Sequence, residues 1–377
     1  MVPSRRTVLA ASAAGVAGLA ALGGTTRGRT PRTVPATVPG DPDARIGFVG
    51  DVMLGRNVDD RWSRSTAPES TVDPAGVWGS TLDSLQALDG LVLNLECCLS
   101  ARGERRPGRT YYFRADPEWA IPALEAANTA FASLANNHLL DYGPTALLDT
   151  VGHLSRAGIA TAGAGHDWAA AVRPAVVTIG DIDVGLVALT DQVRSYRAGS
   201  DAPGTAWTPL GPRNPVTRRR VVAALRAVHR RDPDLVVASL HWGPNWEVRP
   251  SGRQRRTARW LIDEGVDVVH GHSAHVIQGI EVYCGRPIVY DAGDYVDDYV
   301  VKPHFQNDRS VRVELVVEDG RLDRLHVAPV EIVDERVEPA TGEVAAWVRD
   351  RMRTLSAEFG TPVERDGRGL SVPLASE

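Results

Sequence analysis

The feature that most constrains this chain is a repeated one: short apolar runs of strand length that stop on a residue able to bind a cation or move a proton. Val49 leads into Gly50-Asp51, Leu93 into Asn94-Leu95-Glu96, and Leu134 into Asn136-Asn137-His138. Leu240 leads into His241-Trp242-Gly243, and Val269 into His270-Gly271-His272-Ser273-Ala274-His275. Further runs lie at 175–179 and 184–189. Between the runs fall segments of helical period at 120–127, 145–157, 217–230 and 253–264. Strands alternating with helices predict an α/β architecture. Gly180-Asp181, Cys284-Gly285-Arg286 and Glu318-Asp319-Gly320 join apolar runs directly, as hairpin turns do, so the sheets are expected to be mixed rather than purely parallel.

Position gives the polar residues their meaning. In open α/β sheets ligands bind beyond the carboxyl ends of the strands, so side chains from five such ends can converge. Each has an ordinary reading of its own. Asp51 can cap a turn, Asn94 and Glu96 can share an exposed strand face, Asn136-Asn137 can serve a tight turn, and His241 can be a core histidine. Five together favour a metal site. Carboxylate, imidazole and amide oxygen suit Mn, Zn, Fe or Mg, while none of the three cysteines is placed to supply a thiolate. One or two such cations would act as Lewis acids and lower the pKa of a bound water towards ~7, giving a hydroxide nucleophile.

Composition removes several alternatives. An apolar fraction of 43% with 24% charged residues excludes a disordered or fibrous chain. A net charge of −5 supplies no basic surplus, so no nucleic-acid partner is expected. No apolar run reaches the ~18 residues of a membrane span. The arginines Arg249, Arg253, Arg255, Arg256 and Arg259 read first as a solvated helix face and second as a track for an anionic polymer. Lys302, the only lysine among 42 basic residues, reads as a mark of composition.

Ser4-Arg5-Arg6-Thr7-Val8-Leu9 precedes an uncharged Ala/Gly-rich stretch, the pattern of a twin-arginine export signal. Residues 1–24 are therefore expected to be a signal or anchor, 25–43 a linker, 44–333 the main domain, and 334–377 a C-terminal extension with one helix near 343–358 and a loose tail. The expected location is extracytoplasmic, secreted or anchored at the cell envelope.

Taken in order, Gly50-Asp51-Val52-Met53-Leu54-Gly55-Arg56, Asn94-Leu95-Glu96-Cys97, and Leu134-Ala135-Asn136-Asn137-His138 with Asp141 resemble motifs of the CapA capsule-synthesis family. So do His241-Trp242-Gly243-Pro244-Asn245, Gly271-His272-Ser273-Ala274-His275 and Gly293-Asp294 with Asp297-Asp298-Tyr299. That family is similar to the calcineurin-type metallophosphoesterases. The resemblance implies a four-layer sandwich of two mixed β-sheets flanked by helices. It implies work on poly-gamma-glutamate or a like anionic extracellular polymer, or on a phosphoester, beside membrane-bound capsule-synthesis machinery. By position, Asp51, Glu96, Asn137, His241, His272 and His275 resemble metal ligands, and His138 resembles the acid that protonates a leaving group. Arg56, Asn94, Trp242 and Asp294 are candidates for substrate contact. The wider superfamily has a histidine where Met53 stands, a bridging aspartate where Glu96 stands, and closer spacing than His272 to His275. The first expectation is thus a metal-dependent hydrolase. The second, which these departures motivate, is a non-catalytic assembly or anchoring factor with a degenerate site.

Overall fold

A computed structural model describes residues 43–66 and 72–374. The apolar runs become strands because most are valine, leucine and isoleucine throughout, and strands covered on both faces need no polar alternation. They assemble into two large sheets. The ten-stranded sheet runs Glu364–Asp366, Gly369–Pro373, Arg321–Val333, Arg309–Glu318, Ala44–Val52, Gly90–Leu95, Thr129–Ser133, Ala160–Ala162. Asp294–Val296 pairs with Ala44–Val52 off that path, and Arg336–Pro339 with Arg321–Val333. The six-stranded sheet runs Ile280–Tyr283, Arg286–Val289, Val268–His272, Leu235–His241, Ile182–Thr190, Ala175–Ile179. Both sheets are mixed. The six-stranded sheet has a parallel centre with an antiparallel pair at each end, whereas the ten-stranded sheet is parallel from Ala44–Val52 to its Ala160–Ala162 edge and antiparallel on the other side; the three hairpins lie where their turn residues predict.

Alternation along the strands builds the layers. Ile46 and Phe48 of the first strand, Val184 and Leu186, and Leu235 and Val237 all enter one shared core between the sheets. Their neighbours point outward: Val49 and Leu93 face a core under Trp78, Trp119 and Leu147. Val236, Ala238 and Leu240 face a core under Val221, Leu225 and Leu261. The result is helix, sheet, sheet, helix. Burial of such a side chain is worth about 1.5–3 kcal/mol.

The outer helices begin where the chain offers caps. Asn214 accepts from the amides of Val216 and Thr217 before Pro215–His229, and Ser251 forms a capping box with Gln254 before Gly252–Asp263. The arginine-rich face of Gly252–Asp263 is tied down by ion pairs, Arg253 to Asp191 at 2.7 Å and Arg259 to Glu281. Arg249, just before the helix, pairs with Glu358 at 2.7 Å. These pairs favour the solvated-face reading over a polymer track.

The C-terminal segment departs from expectation. Helix Gly342–Ala357 sends Val348 and Met352 into the inter-sheet core, and residues 364–373 form a hairpin on the edge of the ten-stranded sheet. The reading of a loose tail missed this because Gly369-Leu370-Ser371-Val372-Pro373 is too short to show a period. The expected export signal, and all of the expected linker but Asp43, lie outside the described residues. Asp43 itself is buried, and its carboxylate accepts from the Gly320 amide at 2.6 Å.

Candidate metal centre

The strand that carries Asp51 lies against the chain entering its partner strand Asp294–Val296 with no room for a side chain: a Cβ on Gly50 would stand 1.9 Å from the Gly293 carbonyl oxygen. His270 reaches from the six-stranded sheet to the ten-stranded one, its Nε2 donating to the Val49 carbonyl at 2.8 Å. At the carboxyl ends just beyond, strand register sets the polar residues side by side: Asp51 pairs with Asn94 and with Asp294, and His241 pairs with His272.

Asp51 is the hub. Its Oδ1 accepts from Asn94 Nδ2 at 2.7 Å and its Oδ2 from the Ser273 amide at 3.0 Å. Around it lie His275 Nδ1 at 3.2 Å, His272 Nδ1 at 3.6 Å and His241 Nδ1 at 3.8 Å. Two groups of potential ligands result, Asp51 with His241 and His272, and Asp51 with Glu96 and His275. The carboxylate common to both is Asp51, whereas Glu96 serves only one. Met53 is fully buried in the outer core and takes no part.

A hydrogen-bond relay orients His272. His270 donates through Nε2, and burial pushes its pKa down to about 4, so its Nδ1 accepts from the Ser239 hydroxyl at 3.2 Å. Ser239 Oγ then accepts from His272 Nε2 at 3.0 Å, which leaves the His272 Nδ1 lone pair facing Asp51. His241 Nδ1 stands 3.0 Å from that same nitrogen. Two imidazole donors on one tetrahedral ion sit roughly 3.3 Å apart. Burial lowers the pKa of His241 to about 3 and that of His272 well below its usual value, so a proton between them is disfavoured and a cation is not.

The acids give the same answer. Burial alone would raise Asp51, but the His275 hydrogen bond and the nearby His241, His275 and His272 hold it well below the carboxylate range. Burial, then the charge of Asp51, pushes Glu96 and Asp291 well above theirs. Burial also raises Asp294, against the pull of His275. Burial, followed by Asp294, raises Asp297. Burial would lower His275, but Asp294, at 2.8 Å, and Asp51 raise it well above its normal value. Glu96 Oε1, His241 Nε2, Asn137 Oδ1 and Asp294 Oδ2 are all buried without a hydrogen-bond partner. Unpartnered donors and crowded acids at one point are what a divalent cation relieves, so these residues fit one.

The candidate acid is built separately. His138 Nδ1 meets Asp141 Oδ2 at 2.6 Å, and its Nε2 lies 3.7 Å from Glu96 Oε1. Burial lowers its pKa against the upward pull of Asp141. Tyr196 and the Phe113 amide also donate to Asp141, at 3.1 and 3.0 Å, and fix the pair.

Of the proposed contacts, Asn94 and Asp294 lie inside the cluster, while Arg56 lies at its rim, paired with Asp298 at 3.0 Å. Trp242 does not reach it. Its indole donates to the Tyr290 carbonyl at 3.2 Å and packs in the outer core, because it points to the opposite face of the chain from His241. The aromatics at the site are Trp246 and Tyr299, 5.4 and 5.3 Å from the His275 ring. Asn137 leaves its amide oxygen unpartnered, while Asn136 is the structural member of that pair: it donates to Asn94 and accepts from the amides of His138 and Leu139. Two members escaped the sequence reading. Asp291 accepts from the amides of Ala274 and Gly293, and its signal was its place just after the apolar run 287–290. Arg109 donates to the Asn137 carbonyl at 2.8 Å from a loop that carries no periodic signal.

Fold and site thus define a class: a two-sheet α/β protein with a buried carboxylate–imidazole cluster suited to divalent cations. The particular family follows from comparison. Residues 45–299 match the model of the bacterial capsule synthesis protein PGA_cap, and the chain belongs to that family. A probable polyglutamine synthesis accessory protein of Mycobacterium tuberculosis is 34% identical over 361 residues, covering 86% of this chain and 94% of its own. The PGA biosynthesis protein CapA of Bacillus subtilis is 26% identical over 76% of this chain and 70% of its own. Among solved structures, a 5'-nucleotidase from Candida albicans aligns over 85% of this chain and 59% of its own, with 10% identity and a TM-score of 0.41.

Proposed function

We propose that this protein is an exported accessory of poly-gamma-glutamate-like polymer synthesis, acting as a divalent-metal-dependent hydrolase of the phosphoesterase type. The observation that carries the reading is the pair of ligand groups sharing Asp51, ringed by unpartnered buried donors. Asp51, His241 and His272 would hold one cation, and Asp51, Glu96 and His275 a second, with Asn137 and Asp294 offering further oxygens. When bound, such a cation supplies Lewis acidity and a lowered pKa for water. The chain's own residues do the rest. Asp141 fixes the His138 ring so that its Nε2 faces the cluster, where it can hold or deliver a proton to a leaving group. Arg56 and Arg109 face anionic substrate from the rim. The Arg5-Arg6 pair and family membership support work outside the cytoplasm.

The test is metal analysis of purified protein after Mn or Zn loading, with turnover of a phosphodiester and of poly-gamma-glutamate. His138→Ala should keep its metal and lose about 10²–10⁴-fold in turnover. A folded protein that takes up no divalent ion defeats the proposal. Met53 in the core favours a second reading, a non-catalytic assembly factor. On that reading His138→Ala leaves polymer production in the cell unchanged while deletion of the gene abolishes it.

A further inference from the structure

Beside the candidate metal centre lies a group of residues of which the proposed chemistry uses only Arg56. Tyr299 borders the cluster, its ring 5.3 Å from His275. Two cations lie near that ring: Arg56 Cζ is 5.8 Å from its centroid and Lys302 Nζ 6.0 Å. Lys302 Nζ stands 3.8 Å above Trp246, which in turn packs against His275.

The framework beneath these groups is fixed. Trp246 adopts φ 66°, a left-handed conformation that is unfavourable for a non-glycine residue. Its amide donates to the Ala274 carbonyl at 2.8 Å, so the indole is anchored to the same loop that carries His275. The Lys302 amide donates to Asn307 Oδ1 at 2.6 Å. The ammonium itself meets only aromatic faces among the described residues and forms no ion pair there. Arg56 Nε is committed to Asp298, but its Nη1 is buried without a partner. An ammonium on an aromatic face is held less strongly than by an anionic oxygen in a partly desolvated site.

We propose that Lys302 and Arg56, both beside Tyr299, form a cradle for the anionic oxygens of substrate, with Trp246 as its floor. This rests on the polymer-or-phosphoester reading above and names residues that read a substrate's charge beside the reacting group. Carboxylate and phosphate share the required chemistry.

Because Lys302 is the chain's only lysine, an amine-selective acetylating ester modifies it and the terminal amine alone, and mass spectrometry follows each separately. Saturating poly-gamma-glutamate should slow acetylation of Lys302 at least fivefold and leave the terminal amine unchanged. Protection by inorganic phosphate but not by the polymer would assign the cradle to phosphoesters. Protection by neither overturns the proposal. Lys302→Gln should weaken binding of the protecting probe about tenfold with metal content unchanged, and Lys302→Arg should restore most of it; equal binding by Lys302→Gln also overturns it. Protection that persists unchanged after metal is stripped with a chelator would count against the metal-dependent reading and still support the cradle.

Discussion

His272 illustrates how much of a site can be set by residues that never touch its ligand. Its ligating nitrogen is selected through Ser239 by His270, which is held by a backbone carbonyl of the other sheet. Loss of such a partner usually costs about 10–100-fold in metal affinity. Ser239→Ala should therefore weaken Zn or Mn binding by that factor, measured by competition with a chelating dye, while leaving the thermal transition of the metal-free protein nearly in place. Unchanged affinity would show that the relay does not set the His272 tautomer. The same residues give a pH signature. His241 and His272 are already neutral at pH 7, so the affinity of Asp51–His241–His272 should be flat between about pH 6 and 8. Burial and then Asp51 raise Glu96 well above the carboxylate range, and the carboxylates around His275 raise it well above its normal value against the effect of burial. A cation entering at Glu96 and His275 competes with the protons these shifts favour, so its affinity should rise with pH. Calorimetry in two buffers of different ionisation enthalpy counts them. Two binding events without proton release would contradict the assignment.

At the scale of elements, the site depends on the Asp51 strand lying closer to the turn before Asp294–Val296 than a side chain permits. Gly50→Ala would drive a methyl group into the Gly293 carbonyl. Overpacking of this kind costs about 1–3 kcal/mol, and the strand carrying Asp51 would have to shift. The expected outcome is a lower denaturation midpoint together with weaker metal binding; loss of stability with full metal affinity would separate this contact from the site. The strands themselves were legible in the sequence because apolar runs with turn residues at their ends need no partner to be recognised. The sandwich layers were visible only through the resemblance, since a run covered on both faces carries no mark of which face meets the other sheet. The error at Trp242 has the same origin. Proximity to His241 in the chain suggested proximity in space, yet adjacent strand residues point to opposite faces. Trp246, four residues further on and in a left-handed turn, is the one that returns to the cluster.

Across the whole molecule, the C-terminal segment belongs to the fold rather than trailing from it. Val348, Met352, Leu370, Val372 and Leu374 are all buried in the inter-sheet core. At about 1.5–3 kcal/mol each, their loss is comparable with the roughly 5–15 kcal/mol that keeps a domain folded. A chain ending at Val333 should lack a cooperative unfolding transition by calorimetry, and a sharp transition near that of the full chain would refute this. The boundary expected at 333 follows the reach of the family resemblance, and such a resemblance reports shared motifs rather than the extent of a core. The convergence of Asp51, Glu96, His241, His272 and His275 was legible, since these residues stop successive apolar runs. The shared role of Asp51, and the aromatic cradle around Tyr299, depend on contacts over more than two hundred residues and leave no local trace. The central claim is that Asp51 is common to two cation positions. An anomalous-scattering map of Mn-loaded crystals tests it most directly. The account predicts two peaks flanking the Asp51 carboxylate, one beside His241 and His272 and one beside Glu96 and His275; no peak within coordination distance of Asp51 would contradict it.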